Sequence, residues 1–303
     1  MRLTIFGYLC RDKNILPDGT SSEIVGGKGA FMAPAAARGE IDVDLITWLP
    51  EEDHELLQSL KDYPITTHVI PVPTGTVNTN QHAGDTTIAT IRLDPHTIVP
   101  EDLDETIRTT LDNSAAVLLA PDIEEKISLE SVKFLADELG LKLFVDIGKY
   151  FRTLRPDGVL EPRWPWPNQA KFLQYFDTIF VSEEDLAVPL AHGESVLSLA
   201  RAFAAQGAHE VIITQGSRGV FIYLAETNEG FEIPAYPPKQ LVDPTGAGDT
   251  FIGAYVAKRL ETDSAAEAGH FAAMAASLKL NYSGPLRETA EEIERALQER
   301  GVP

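Results

Sequence analysis

Short apolar runs alternate with amphipathic stretches along almost the whole chain, and this alternation restricts the fold more than any other feature. Leu3–Leu9, Val43–Trp48, Val117–Leu119, Leu143–Val145, Thr178–Val181 and Val211–Thr214 are apolar runs of strand length, as expected of strands buried on both faces. Between them, Ala30–Arg38, Glu52–Lys61, Glu101–Leu111, Leu129–Leu139 and Val196–Gln206 have helical spacing, and Thr250–Leu260, Ala265–Leu280 and Thr289–Arg300 follow. Such a succession predicts a three-layer α/β fold, a mainly parallel sheet with helices on both faces. Two segments, 10–23 and 68–93, break the rhythm. The second is rich in Thr and Val, and a turn at His82-Ala83-Gly84-Asp85 separates Thr76–Asn80 from Thr86–Leu93, which predicts a hairpin. Both segments are expected to form a small β lid over the sheet edge. No repeat or long linker divides residues 1–303, so a single domain is expected. Leu154–Asn168 reads as one irregular loop, its Trp164 and Trp166 packing the loop or a subunit contact.

Forty-six acidic residues against twenty-five basic ones give a net charge of −21. A nucleic-acid partner is excluded on that ground, because a phosphate backbone requires a basic face. Any nucleotide site must be locally positive despite the overall charge. The one cysteine, Cys10, cannot form a disulfide within the chain. No stretch approaches the roughly 18 apolar residues of a membrane helix, and the first residues carry no signal pattern. The expectation is a cytoplasmic protein without a membrane partner.

Two glycine clusters stand where extended segments give way to helices. In Asp243-Pro244-Thr245-Gly246-Ala247-Gly248-Asp249-Thr250-Phe251, the glycines precede a helical pattern of Phe251, Ala254, Tyr255, Ala257 and Leu260. Bare amides and the helix N-terminus suit an anion there, and Asp249 in the first turn would face it. Donors for developing charge beside a carboxylate able to accept a hydroxyl proton suit phosphoryl transfer. A capped helix start is the alternative. The second cluster, Gly26-Gly27-Lys28-Gly29-Ala30, precedes a helix of small residues. It is not a Walker A loop, because Gly29 replaces the required Ser or Thr. It is not G-x-G-x-x-G either, because Met32 holds the last place. It reads either as a backbone site for a ligand's hydroxyls or as a turn packed on the sheet.

Together these runs resemble the signatures of the PfkB (ribokinase-like) carbohydrate kinases. Gly26–Ala30 with Ala35-Ala36-Ala37-Arg38 resembles the N-terminal signature and Asp243–Phe251 the C-terminal one. Gly7–Asp12 resembles the first strand and the aspartate after it, and Ile213–Gly219 resembles the T-x-G-x-x-G strand and turn. The resemblance implies that Asp249 is the catalytic base and that Gly246, Ala247 and Gly248 form an anion hole. It places Asp12, Gly26, Gly27, Lys28 and Asn78 at the substrate, and Thr214, Gly216, Gly219 and Asn281 at the nucleotide. ATP and Mg²⁺ are the implied cofactors, and a homodimer through the lid is the implied assembly.

Some positions depart from the pattern. Ser182-Glu183-Glu184-Asp185 stands where many members carry N-x-x-E near Mg²⁺. Ser182 and Asp185 are read as indirect metal support, as a capping pair, or as both. Asp146-Ile147-Gly148-Lys149-Tyr150-Phe151-Arg152 resembles the D-x-N-x-R run of sugar-acid and fructose kinases, with Gly148 replacing Asn. Arg152 and Lys149 therefore either meet the substrate or a phosphate, or lie in a solvated loop. Asp243 and Thr245 either help a monovalent cation, K⁺, or shape the turn. The expected reaction is ATP-dependent phosphorylation of a hydroxyl on a small sugar or polyol. A nucleoside acceptor and a non-catalytic binding protein are the alternatives. Asp249, at a helix start, is expected to have a low pKa and to be ionised at neutral pH.

Overall fold

The structure, a computed structural model, describes residues 1–15, 18–83 and 86–302. Among them, nine strands form one sheet in the spatial order Glu229–Ile233, Val220–Leu224, Glu210–Thr214, Thr178–Ser182, Lys142–Asp146, Ala116–Ala120, Arg2–Gly7, Asp42–Leu49 and Ile65–Pro71. The first two pairings in this order are antiparallel and all the others parallel. Every apolar run expected to be a strand is one. Successive side chains enter opposite cores, as the strand period of two requires. Leu3, Ile5, Leu118 and Phe144 face one core, and Phe6, Val117, Leu119 and Val145 face the other.

The first core is roofed by the helices Lys28–Ala36, Ala247–Glu261 and Ala265–Lys279, whose small residues let them pack closely. The second lies under Glu105–Asp112, Leu129–Lys133 and Val196–Ala204. Glu51–Leu60, read as an α-helix, winds as a tighter 3₁₀ helix instead. No helix among the described residues is long and apolar enough to cross a membrane.

A separate four-stranded sheet, in the order Ser21–Gly26, Cys10–Ile15, Thr76–Ala83 and Thr86–Arg92, forms the lid. Its hairpin is antiparallel, as expected, while Gly84-Asp85 at the tip of the expected turn lies outside the described residues. One boundary differs from expectation. His68–Pro71 belongs to the parallel edge strand Ile65–Pro71 of the main sheet, paired with Asp42–Leu49. The lid is tied to the body by Arg11, whose guanidinium donates to Asp53 and to Glu55 at 2.8 Å each and also pairs with Glu23 of the neighbouring lid strand. Within 154–168, Leu160–Pro162 pairs with Arg152–Leu154, so the stretch is not wholly irregular. Trp166 is buried against Tyr150, with ring centroids 4.5 Å apart.

Glu210 begins a central strand and is buried beneath the Ala247–Glu261 helix. It accepts from Tyr255 Oη at 3.0 Å and from Arg259 Nε at 2.9 Å. Removing one member of such a group strands the other in a poorly solvated place. Glu210→Ala should therefore lower unfolding free energy by about 3–5 kcal/mol, measured by urea denaturation. A loss within the scatter of surface substitutions would show that the contact carries no load.

Candidate active site

The parallel strands Lys142–Asp146, Thr178–Ser182 and Glu210–Thr214 end side by side, and the N-terminus of the Ala247–Glu261 helix faces those ends. A cavity of about 210 Å³ lies between, lined by Asp146, Ser182, Asp185, Thr214, Gly246–Gly248 and Asp249. Carboxyl ends of strands in an open α/β sheet are where ligands of such folds bind.

The turn into the helix is organised by its own backbone. Asp243 Oδ1 accepts from Thr245 N at 2.9 Å, and Ala247 N donates to Pro244 O at 3.2 Å. Gly246 is left-handed, with φ 74°, and a Cβ built on it would fall 2.2 Å from the Phe31 ring. Only glycine fits both demands. Ala247 thus spends its amide on the turn. Among the described residues, the amides of Gly246 and Gly248 have no backbone acceptor. A Cβ built on Gly248 meets nothing within 4 Å, and the residue lines the cavity. An anion fits there, held by bare amides and the helix dipole.

Asp249 sits in the first helical turn, where the sequence puts it, but its pKa departs from expectation. Burial pushes it up to about 6; the Lys28 charge opposes the rise, Asp146 adds to it, Lys149 opposes and Asp12 adds. The helix terminus alone would lower it, yet desolvation of a carboxylate beside a second carboxylate outweighs that. Asp249 is still about nine-tenths ionised at pH 7. Lys28 is buried and holds Asp146 Oδ2 at 2.6 Å. The contact lacks hydrogen-bond geometry, so this ammonium is a buried charge near Asp249 with no hydrogen-bond partner of its own among the described residues. Lys149 is largely enclosed, and burial with the Lys28 charge lowers its pKa. These two cations answer the need for local positive charge in an acidic protein.

The lid supplies a second polar group. Asp12 and Asn78 are paired across the parallel strands Cys10–Ile15 and Thr76–Ala83. Asp12 Oδ1 accepts from Asn78 Nδ2 at 2.7 Å and from Cys10 Sγ at 3.2 Å. A Cβ on Gly26 would lie 1.9 Å from Asp12 Oδ2, so Gly26 makes room for this carboxylate. Gly27 starts the Lys28–Ala36 helix with φ 92°, tight against Tyr8 O.

Other expected residues are placed differently. Arg152 is engaged in an ion pair: its Nε and Nη2 donate to Asp185 Oδ1 at 3.1 and 2.8 Å. Ser182 Oγ donates to Asp185 Oδ2 at 2.6 Å and accepts from Asp185 N at 3.1 Å, closing the turn at the strand end, while the helix that follows, Ala187–Ala191, has no side-chain cap. With both carboxylate oxygens engaged, Asp185 suits a hydrated Mg²⁺ rather than a direct ligand shell. No group of three metal-ligating side chains occurs among the described residues. Mg²⁺ commonly keeps its waters and relies on substrate phosphates, so these residues fit it as an outer contact. Thr214 lines the cavity, while Gly216 and Gly219 shape the turn beyond it, where Gly219 N donates to Gly216 O at 3.1 Å. Asn281 braces the loop before the glycine turn, accepting from Gln240 N at 2.9 Å and donating to Ser277 O and Leu278 O. Two participants were given no role by the sequence. Asp146 was noted only as the first residue of the Asp146–Arg152 run, at the end of a buried strand. Lys279, beside Asp243, was signalled by nothing but its helix.

Residues 5–292 match the pfkB family carbohydrate kinase profile, and the chain belongs to that family. It is a carbohydrate kinase, a phosphotransferase with the ribokinase-like fold. Cytidine kinase of Thermococcus kodakarensis is 26% identical over 264 residues, covering 84% of this chain and 87% of the relative. Ribokinase of Arabidopsis thaliana is 27% identical over 285 residues, covering 88% and 70%. Among solved structures, a pyrophosphate-dependent kinase of the ribokinase family, complexed with sulfate, superposes with a TM-score of 0.81 at 22% identity, covering 97% and 99%. Arabidopsis thaliana ribokinase complexed with ribose and ATP superposes with a TM-score of 0.75 at 21% identity, covering 98% of each chain.

Two outcomes follow from this geometry. A base that must be ionised and has a pKa of about 6 should make kcat/KM fall about tenfold per pH unit below that value. The acid limb should vanish from the residual activity of Asp249→Asn; a limb near pH 4 in the wild type would contradict the burial of this carboxylate. Gly248→Val should fold normally, because its side chain enters open space, but should fill the anion position. Turnover should drop by at least about 10²–10³ with an unchanged melting temperature, read from a coupled assay and calorimetry.

Proposed function

We propose that the chain transfers the terminal phosphoryl group of ATP to a hydroxyl of a small sugar or polyol. The observation that carries this reading is Asp249, raised to a pKa of about 6 and set beside open amides at the helix start. In this scheme Asp249 takes the proton as the hydroxyl oxygen attacks the terminal phosphorus in line. The phosphorus–oxygen bond to the leaving diphosphate breaks, and the products are ADP and the phosphate ester. The Gly246 and Gly248 amides hold the charge gathering on the transferred group, and the enclosed Lys28 and Lys149 ammonium groups offset it at longer range. Mg²⁺, contacted through water near Ser182 and Asp185, would supply neutralisation of the phosphate charges when bound. Asp12 and Asn78, coupled on the lid, orient the acceptor's hydroxyl groups, and lid closure excludes water from the reaction.

A nucleoside acceptor is the second reading, supported by the similarity to the cytidine kinase. One neighbouring structure is a pyrophosphate-dependent kinase of this family complexed with a pyrophosphate analog and myo-inositol. The decisive screen therefore crosses ribose, hexoses, inositols and nucleosides with Mg-ATP and Mg-pyrophosphate, following product by phosphorus NMR. Phosphorylated sugar or polyol with ATP is the expected result. Product from nucleosides alone, or with pyrophosphate alone, would replace the reading. With the accepted substrate, Asp12→Ala should raise the acceptor KM about 10–100-fold, the loss of a charge-assisted hydrogen bond, and leave the donor KM alone. An unchanged acceptor KM would return Asp12 to a structural lid residue.

A further inference from the structure

A monovalent cation at the glycine turn needs several oxygen ligands, and at Asp243 the main-chain carbonyl and one carboxylate oxygen are already engaged. Lys279, at the end of the Ala265–Lys279 helix, is fully buried and directs its ammonium into this turn. Its Nζ donates to Asp243 O at 2.9 Å and lies 3.9 Å from Asp243 Oδ2. Asp243 Oδ1 is already held by the Thr245 amide. On its other side the ammonium stands 5.6 Å from the centroid of Phe31, the same ring on which Gly246 rests. The carbonyl that a cation would use is thus filled by a covalently tethered positive charge, and a second cation beside it would be repelled. We infer that Lys279 is a built-in substitute for a monovalent cation, a positioning residue that fixes the Asp243–Gly246 turn and frees the enzyme from any K⁺ requirement.

The chemistry suits the role. An ammonium carries a full charge and three donors. One donor reaches the Asp243 carbonyl. The cation–π contact through Phe31 links the charge to the face of Gly246. Neither Lys279 nor its recorded partners Asp243 and Phe31 line the cavity, so it acts through the turn. Asp243 and the Phe31 ring are the partners recorded for its ammonium among the described residues. The inference rests on the kinase reading for its catalytic part, but occupancy of the site can be tested without turnover.

The experiment compares wild type, Lys279→Ala and Lys279→Met in KCl, NaCl or tetramethylammonium chloride at equal ionic strength. The wild type should show the same kcat and the same melting temperature in all three salts. Lys279→Ala leaves a space the size of a small cation. Its kcat should fall about 10²-fold, as when a reacting group is misplaced, and should recover with KCl or methylammonium. Its melting temperature, measured with no substrate present, should rise in KCl and not in tetramethylammonium chloride. Lys279→Met fills the space without charge, and should lose activity with no salt rescue. Strong K⁺ activation or K⁺-specific stabilisation of the wild type overturns the inference, as does an alanine variant with full activity in tetramethylammonium chloride. Should the alanine variant fail to fold, the wild-type salt comparison decides. Should no acceptor be phosphorylated at all, the kinase reading fails, while the substrate-free melting comparison still decides the fate of the cation.

Discussion

The placement of one helix N-terminus governs the chemistry of this protein. Ala247–Glu261 begins with no side-chain cap, so its first amides are available only because the turn before it is held rigid from below. Phe31 supports Gly246, Lys279 holds the Asp243 carbonyl, and the Asp243 carboxylate fixes Thr245. Further along, Tyr255 and Arg259 pin the same helix to Glu210 at the start of a sheet strand. The helix is thereby fixed at both ends, against a neighbouring helix and against the sheet. Flexibility in either contact would move the anion site relative to the strand ends. A preorganised donor is valuable because it does not need to reorganise as charge develops.

Electrostatics inside the site run against the electrostatics of the surface. The chain carries a net charge of −21, yet two lysines are drawn into the region of Asp249. Lys28 is buried against Asp146, and Lys149 is largely enclosed. Their cost in desolvation is offset by the carboxylates beside them, Asp146 and Asp249. Asp249 is the member of this group left without a dedicated ion pair, and its pKa records the imbalance: burial and Asp146 lift it further than Lys28 and Lys149 lower it. A base near 6 takes a proton more readily than one near 4 while remaining mostly ionised at neutral pH. Arg152 and Asp185 show the opposite solution nearby, a bound pair in which neither charge is left free.

Much of this was legible in the sequence, for identifiable reasons. Buried parallel strands are continuously apolar, so runs such as Val117–Leu119 and Leu143–Val145 declared themselves. Ile65–Pro71 did not, because an edge strand half open to solvent carries Thr66, Thr67 and His68 and resembles the lid segment that follows it. The antiparallel pair Val220–Leu224 and Glu229–Ile233 also lies at an edge and is partly exposed. Asp249 and its glycines were legible because a helix start leaves a local signature. Partners were not legible where the contact is long-range: Asp12 with Asn78 depends on a parallel pairing 66 residues apart, and Arg152 with Asp185 on strand ends brought together by the sheet.

The pKa of Asp249 and the role of Lys279 were hidden for a common reason. Each depends on burial of a charged group, and sequence spacing gives no measure of burial for a single polar residue. A carboxylate in the first turn of a helix ordinarily has a lowered pKa, and a lysine in the last turn ordinarily projects into solvent while complementing the dipole. Here tertiary packing reverses the first expectation and redirects the second. The Lys28–Ala36 helix approaches both groups: Lys28 confronts Asp249, and Phe31 lies between Gly246 and Lys279. The helix that the N-terminal glycine cluster begins therefore conditions the Asp243–Gly246 turn more than two hundred residues away, by delivering a charge near Asp249 and an aromatic face beneath Gly246.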